Sequence, residues 1–165
     1  MAKRQVFFSF HYKADNWRAS QVKEMGQVDD SSQFSGNDWE EVREKTEEKI
    51  KKWIDEQFDK RSCLVVLIGE NTSSRSWVKY EIEKAYELGK GIVGIYIHGL
   101  KDSEGLQSSK GSNPFRQIST KDGKKLSDFV RDYDPPYSTS KNVYDDIKKN
   151  IEELIEEAIE ARGTY

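Results

Sequence analysis

Dense apolar runs stand out against a polar background: Val6-Phe7-Phe8-Ser9-Phe10, Cys63-Leu64-Val65-Val66-Leu67-Ile68 and Ile92-Val93-Gly94-Ile95-Tyr96-Ile97. Each is apolar at successive rather than alternate positions, the pattern of strands covered on both faces of a parallel sheet. Gly69 stops the second run, and Gly89-Lys90-Gly91 precedes the third. Helical spacing fills the intervals. Trp39, Val42, Ile50, Trp53, Ile54 and Phe58 fall on one stripe over 39–58, with Asn37 or Asp38 available as its cap. A further helix is predicted from Ser76 to Leu88, with Gly89 as its C′ residue. Val143, Ile147, Ile151, Leu154, Ile155 and Ala158 mark an amphipathic terminal helix within 138–162.

Strand alternating with helix predicts an α/β fold: an open parallel sheet with helices on both faces, in a single domain over 1–165. Regions outside this rhythm are expected to be irregular. Residues 19–36 read as a short helix followed by a loop rich in Ser, Gly and Asp. Residues 99–124, rich in Gly, Ser, Lys and Asp around Pro114, read as a long surface excursion. Leu126–Val130 is expected to be a fourth, short strand before the turn at Asp134-Pro135-Pro136.

Composition narrows the function classes. The hydrophobic fraction is only 35%, but its concentration in a few segments argues for a core rather than disorder. Cys63 is the single cysteine, so an intramolecular disulfide is impossible. His11 and His98 stand far apart with no cysteine cluster, which argues against a zinc site, and no metal is expected. With 27 basic and 30 acidic side chains interspersed, no basic stripe marks a nucleic-acid face. The apolar run ending at Phe10 is too short for a signal peptide or a membrane span, so a cytoplasmic protein without membrane attachment is expected.

Ligands of open α/β sheets bind at the carboxyl ends of the strands, here 9–15, 69–77 and the loop after Ile97. In the helix over 76–88, Trp77, Val78, Glu81, Ile82, Ala85 and Leu88 share one arc at about 100° per residue. Glu81 therefore projects from the apolar face, whereas Glu83 and Glu87 do not. A carboxylate so placed must be paired, protonated or facing a cavity. An ion pair with Lys13, Arg18 or Arg75 would make it structural; a cavity would make it a candidate for chemistry. The run Asn71-Thr72-Ser73-Ser74-Arg75-Ser76 can cap this helix, and its free N–H groups could receive an anion.

The stretch Val6-Phe7-Phe8-Ser9-Phe10-His11, with Asp15 following, resembles the first strand and loop of Toll/interleukin-receptor (TIR) domains. Trp53-Ile54 through Arg61 to Ile68 resembles their helix-to-strand passage. Ser76-Trp77-Val78-Lys79-Tyr80-Glu81-Ile82 is similar to their Ser-x-Trp-Cys-x-x-Glu-apolar motif, with Val78 in place of cysteine. Together with Gly111-Ser112-Asn113-Pro114-Phe115, the wording is most similar to the TIR-like proteins of Thoeris antiphage defence.

That resemblance implies a flavodoxin-like, TIR-like fold and an enzyme that takes NAD as substrate, without a cofactor. It implies cleavage at the nicotinamide glycosidic bond, a cyclic ADP-ribose product and an indirect effector partner reached through that product. Glu81 is the implied catalytic residue. Phe8, Ser9, Phe10 and His11 are expected in the same pocket, Trp77 beside Glu81, and Arg75 and Arg18 as contacts for the diphosphate. The resemblance also implies self-association that completes the site. A non-catalytic TIR interaction module and a plain NAD glycohydrolase stay open as alternatives. A receiver-type phosphoacceptor is disfavoured, because Ser9-Phe10-His11 and Gly69-Glu70 do not supply its carboxylates.

Overall fold

The computed structural model describes residues 4–26, 45–59 and 61–165. Its elements are β1 (Val6–Ser9), α1 (Tyr12–Glu24), α2 (Glu47–Gln57), β2 (Cys63–Ile68), α3 (Ser76–Glu87), β3 (Gly91–Tyr96), β4 (Arg131–Tyr133) and α4 (Ser140–Arg162). The strands form a four-stranded parallel sheet in the order β1-β2-β3-β4. Every residue of β2 and of β3 is buried, which accounts for their unbroken apolarity.

Strand alternation sorts side chains onto opposite faces. Val6, Phe8 and Phe10, with Cys63, Val65, Leu67, Val93 and Ile95, pack beneath α1 and α4. Phe7, Leu64, Val66, Ile68, Ile92 and Tyr96 pack beneath α2 and α3. Ser9 takes the same face as Phe7 and so points toward α3.

Of the described helices, α2 and α4 start at side-chain caps, whereas α1 and α3 have none. Thr46 caps α2 by accepting from the Lys49 N–H, and Thr139 caps α4 by accepting from that of Asn142. The expected caps Asn37 and Asp38, and the stripe residues Trp39 and Val42, lie outside the described residues. The helix expected after residue 19 begins earlier, at Tyr12, and stops before Gly26, whose φ of 72° suits glycine.

Leu126–Val130 is not a strand. Leu126–Asp128 is a 3-10 turn, and pairing begins only where Arg131 comes beside Val93. Leu126 and Val130 are apolar because they drop into the core under α3, not because they belong to a ladder. Leu88, expected on the buried arc of α3, is 45% exposed, because the helix ends at Glu87.

The 99–124 excursion is largely irregular, with a 3-10 turn at Pro114–Gln117. Its first part forms a strap across the carboxyl ends of β2 and β3. Ser108 N–H donates to His98 O, and Ser109 N–H donates to Glu70 Oε1. The approach is so close that a Cβ on Gly111 would lie 2.2 Å from the Gly69 carbonyl oxygen. Glycine is required there for space.

Candidate active site

With β2 and β3 strapped over, an open pocket of about 200 Å³ lies at the end of β1. It is lined by Phe10, His11, Tyr12 and Lys13 from the β1–α1 junction, and by Arg75, Ser76, Trp77, Val78 and Glu81 from the start of α3. The local chain explains this opening. Thr72 Oγ1 accepts from the Gly69 N–H at 2.7 Å, turning the chain out of β2 toward α3. A Cβ on Gly69 would lie 2.0 Å from Asp15 Oδ2, so only glycine lets α1 sit this close to the end of β2.

Glu81 is 5% exposed at the base of the pocket. Ser9 Oγ–H donates to its Oε1 at 2.8 Å. Among the described residues no cation pairs with it: Arg18 is taken by Asp15, and Lys13 and Arg75 stay exposed at the rim. Burial pushes the Glu81 carboxyl up to about 8, with Ser9 alone pulling back. Of the alternatives open to an inward carboxylate, the described residues offer the cavity and not the ion pair.

His11 is half-buried, and its Nδ1 is buried with no hydrogen-bond partner among the described residues. A buried N–H without an acceptor costs more than a bare lone pair, so the proton belongs on Nε2, where it can be donated. Burial, then the Arg75 charge, pulls His11 below its ordinary value; Asp15 opposes this, and Lys13 adds to it. The balance favours the neutral ring. Trp77 meets Tyr80 edge-to-face at 5.7 Å, which braces the indole at the pocket wall.

Phe10, His11, Arg75, Trp77 and Glu81 thus converge on one pocket, and Ser9 reaches it through Glu81. Phe8 does not line it: it is fully buried on the opposite face, beneath α1 and α4. Arg18, expected at the diphosphate, is 4% exposed and fully engaged. Its Nη1 bonds Asp15 at 2.8 Å, its Nε the Leu100 carbonyl and its Nη2 the Leu106 carbonyl, each at 2.8 Å. Tyr12, Lys13 and Val78 also line the pocket; Tyr12 and Lys13 fall within the strand-end stretch 9–15, yet none of the three carries an expected substrate contact. Their adjacency to His11 and Trp77 was the available signal.

The profile of the Thoeris protein ThsB, TIR-like domain, matches residues 7–102, well over half of the chain. The chain belongs to this TIR-like family. Within it, the chain is similar to a Bacillus cereus (strain MSX-D12) protein given the provisional name cyclic ADP-D-ribose synthase ThsB1. The two are 38% identical over 134 residues, covering 76% of this chain and 69% of the relative. The matched stretch holds β1 to β3 and every pocket residue; β4 and α4 lie beyond the profile. Among the described residues no helix is long and apolar enough to cross a membrane, and no cluster of ligating side chains could hold a metal ion.

Proposed function

We propose that this chain cleaves NAD at the nicotinamide glycosidic bond and closes the remaining ADP-ribose into a cyclic signalling molecule, in keeping with the Thoeris family and the name its relative carries. The observation that carries this reading is Glu81: a buried carboxylate with no cation paired to it among the described residues, opening on a pocket. Departure of nicotinamide leaves oxocarbenium character on the ribose, and an ionised carboxylate in a desolvated site stabilises that charge. Nicotinamide leaves as a neutral ring, so no general acid is needed. The carbon left behind accepts either water, giving linear ADP-ribose, or a nucleophile of the same molecule, giving a ring; an attacking water or hydroxyl gives up its proton, whereas a ring nitrogen attacks through its lone pair. Exclusion of water once substrate and a second copy of the chain cover the pocket would favour the ring.

The pocket is smaller than the roughly 300–1,000 Å³ typical of sites for drug-sized ligands, so it suits one end of NAD. On this reading the nicotinamide riboside end enters beside Trp77 and Glu81. The diphosphate meets Arg75 and Lys13 at the rim, where the first N–H groups of α3 add to the attraction. A second copy of the chain would cover the adenosine end.

Incubation of wild type, Glu81→Gln and Arg75→Gln with NAD, followed by chromatographic separation of products, tests this. Wild type should release nicotinamide, at a specific activity that rises with protein concentration, and yield a cyclic product. Glu81→Gln should lose at least ~10²-fold in rate, the scale of one lost transition-state contact. Arg75→Gln should raise KM with kcat little changed. Undiminished nicotinamide release from Glu81→Gln would remove the site from this pocket, and a linear product alone would make the chain a glycohydrolase.

A further inference from the structure

Glu81 has two carboxylate oxygens, and among the described residues only Oε1 has a partner, the Ser9 hydroxyl at 2.8 Å. Among the described residues Oε2 has no hydrogen-bond partner and is not one of the sealed polar atoms, and the residue lines the pocket, which leaves Oε2 as the oxygen available to a ligand there. Ser9 is itself 1% exposed, at the last position of β1, where the strand still pairs with Val66. Its hydroxyl has one proton to donate, and Glu81 receives it. Ser9 is thereby fixed on a rigid element, and Glu81 on another, with a single bond between them.

We infer that Ser9 is a positioning residue rather than a substrate contact: by holding Oε1 it assigns Oε2 to the substrate ribose and fixes the plane of the carboxylate. This deepens the NAD reading and rests on it for the identity of the ribose. The bond also governs the proton. When Glu81 is neutral, a proton on Oε1 would have to compete with the Ser9 donor, so it sits on Oε2 and is directed into the pocket. When Glu81 ionises, Oε2 offers lone pairs to the sugar and its developing charge. The Ser9 donor favours the ionised form.

Other charges around the carboxyl do not supply this control. Across the pocket stand His11, Tyr12, Lys13 and Arg75, and none of them contributes to holding Glu81 in its charged form. On the α2 side, Asp55 accepts from Tyr80 and lies beside Lys84, and Lys51 sits over the Tyr80 ring.

The test reads Glu81 twice, once with substrate and once without. Ser9→Ala and the hydroxyl-retaining Ser9→Thr are prepared beside wild type and Glu81→Gln. The infrared carbonyl band of the protonated Glu81 carboxyl, identified by its loss in Glu81→Gln, is followed against pH. In Ser9→Ala its midpoint should move upward by about one pH unit, the worth of a hydrogen bond to a charged group. In NAD turnover the acid limb of kcat/KM should move with it. The value of kcat should fall ~10–100-fold, with KM within about threefold, as expected when a reacting group is misaligned. Ser9→Thr should return both readouts toward wild type.

An unmoved infrared midpoint in folded Ser9→Ala would overturn the assignment, as would a rise in KM alone, which would make Ser9 a substrate contact. If wild type shows no NAD turnover, the NAD reading fails by itself, and the infrared midpoint still decides whether Ser9 holds Glu81.

Discussion

At the scale of the residue, the burial of Glu81 has a consequence for stability whose sign can be worked out. Its carboxyl ionises near 4.5 when unhindered, and burial in the fold raises this to about 8. Below pH 4.5 it is neutral in both folded and unfolded chains. Between those values the unfolded chain loses the proton and the folded one keeps it, so this contribution to stability drains away as pH rises and is gone above about 8. Glu81→Gln keeps an amide oxygen for Ser9 and cannot ionise. Its melting temperature should match wild type near pH 4.5, exceed it by an advantage growing ~1.4 kcal/mol per pH unit up to about 8, and level off above that. Thermal melts of both proteins across that range check it; parallel curves would mean that Glu81 is ionised in the fold throughout. The inward placement of this glutamate was legible from helical spacing alone, since an arc of Val78, Ile82 and Ala85 includes it. That a serine, not a lysine or arginine, meets it was not. That pairing joins residues 9 and 81 through the register of β1 against β2 and the seating of α3, which no local pattern encodes.

At the scale of the element, the strap depends on Arg18. One guanidinium ties α1 to the chain at Leu100 and Leu106 while pairing with Oδ1 of buried Asp15, whose Oδ2 has no partner among the described residues. Arg18→Ala would leave Asp15 buried without its charge partner and the strap without its main tie, a loss of about 3–5 kcal/mol. Arg18→Lys should rescue little, because an ammonium cannot reach along the same planar fork to a carboxylate and two carbonyls at once. Chemical denaturation measures the loss, and amide exchange should show the Ser108 and Ser109 protons released ahead of those in β2 and β3. Protection retained there in Arg18→Ala would mean that Gln107, which donates to the Gly99 and Ser138 carbonyls, suffices to hold the strap. The helices and buried strands were readable because their periodicity is dictated by burial on one or both faces. The strap was recognisable only as a long excursion, since most of its ties are accepted by backbone carbonyls, which carry no sequence signature. The same limit explains the fourth strand: β4 is half-exposed Arg131-Asp132-Tyr133, while the apolar residues before it serve the core from a turn.

At the scale of the whole molecule, the sheet is the last part that can open. Cys63 begins β2, between β1 and β3, fully buried, paired with Val6 on one side and Gly91 on the other. Burial drives its thiol well above the ordinary cysteine value, so the reactive thiolate is suppressed in the folded chain. Exposing it requires parting the central strands from both helical layers, and in a cooperative core that step approaches global unfolding. A thiol reagent should therefore leave the native protein unmodified and label it at a rate set by the unfolding equilibrium. The pocket at the end of β1 lies away from this position. Changes there, such as Glu81→Gln, should alter Cys63 labelling only through their effect on overall stability, and so only toward slower labelling above pH 4.5. Arg18→Ala should accelerate it about tenfold for each ~1.4 kcal/mol of lost stability. Labelling of the wild type as fast as that of a free thiol would mean that the sheet parts locally at β2, and that the strands carrying Ser9 are not the rigid support that holds Glu81.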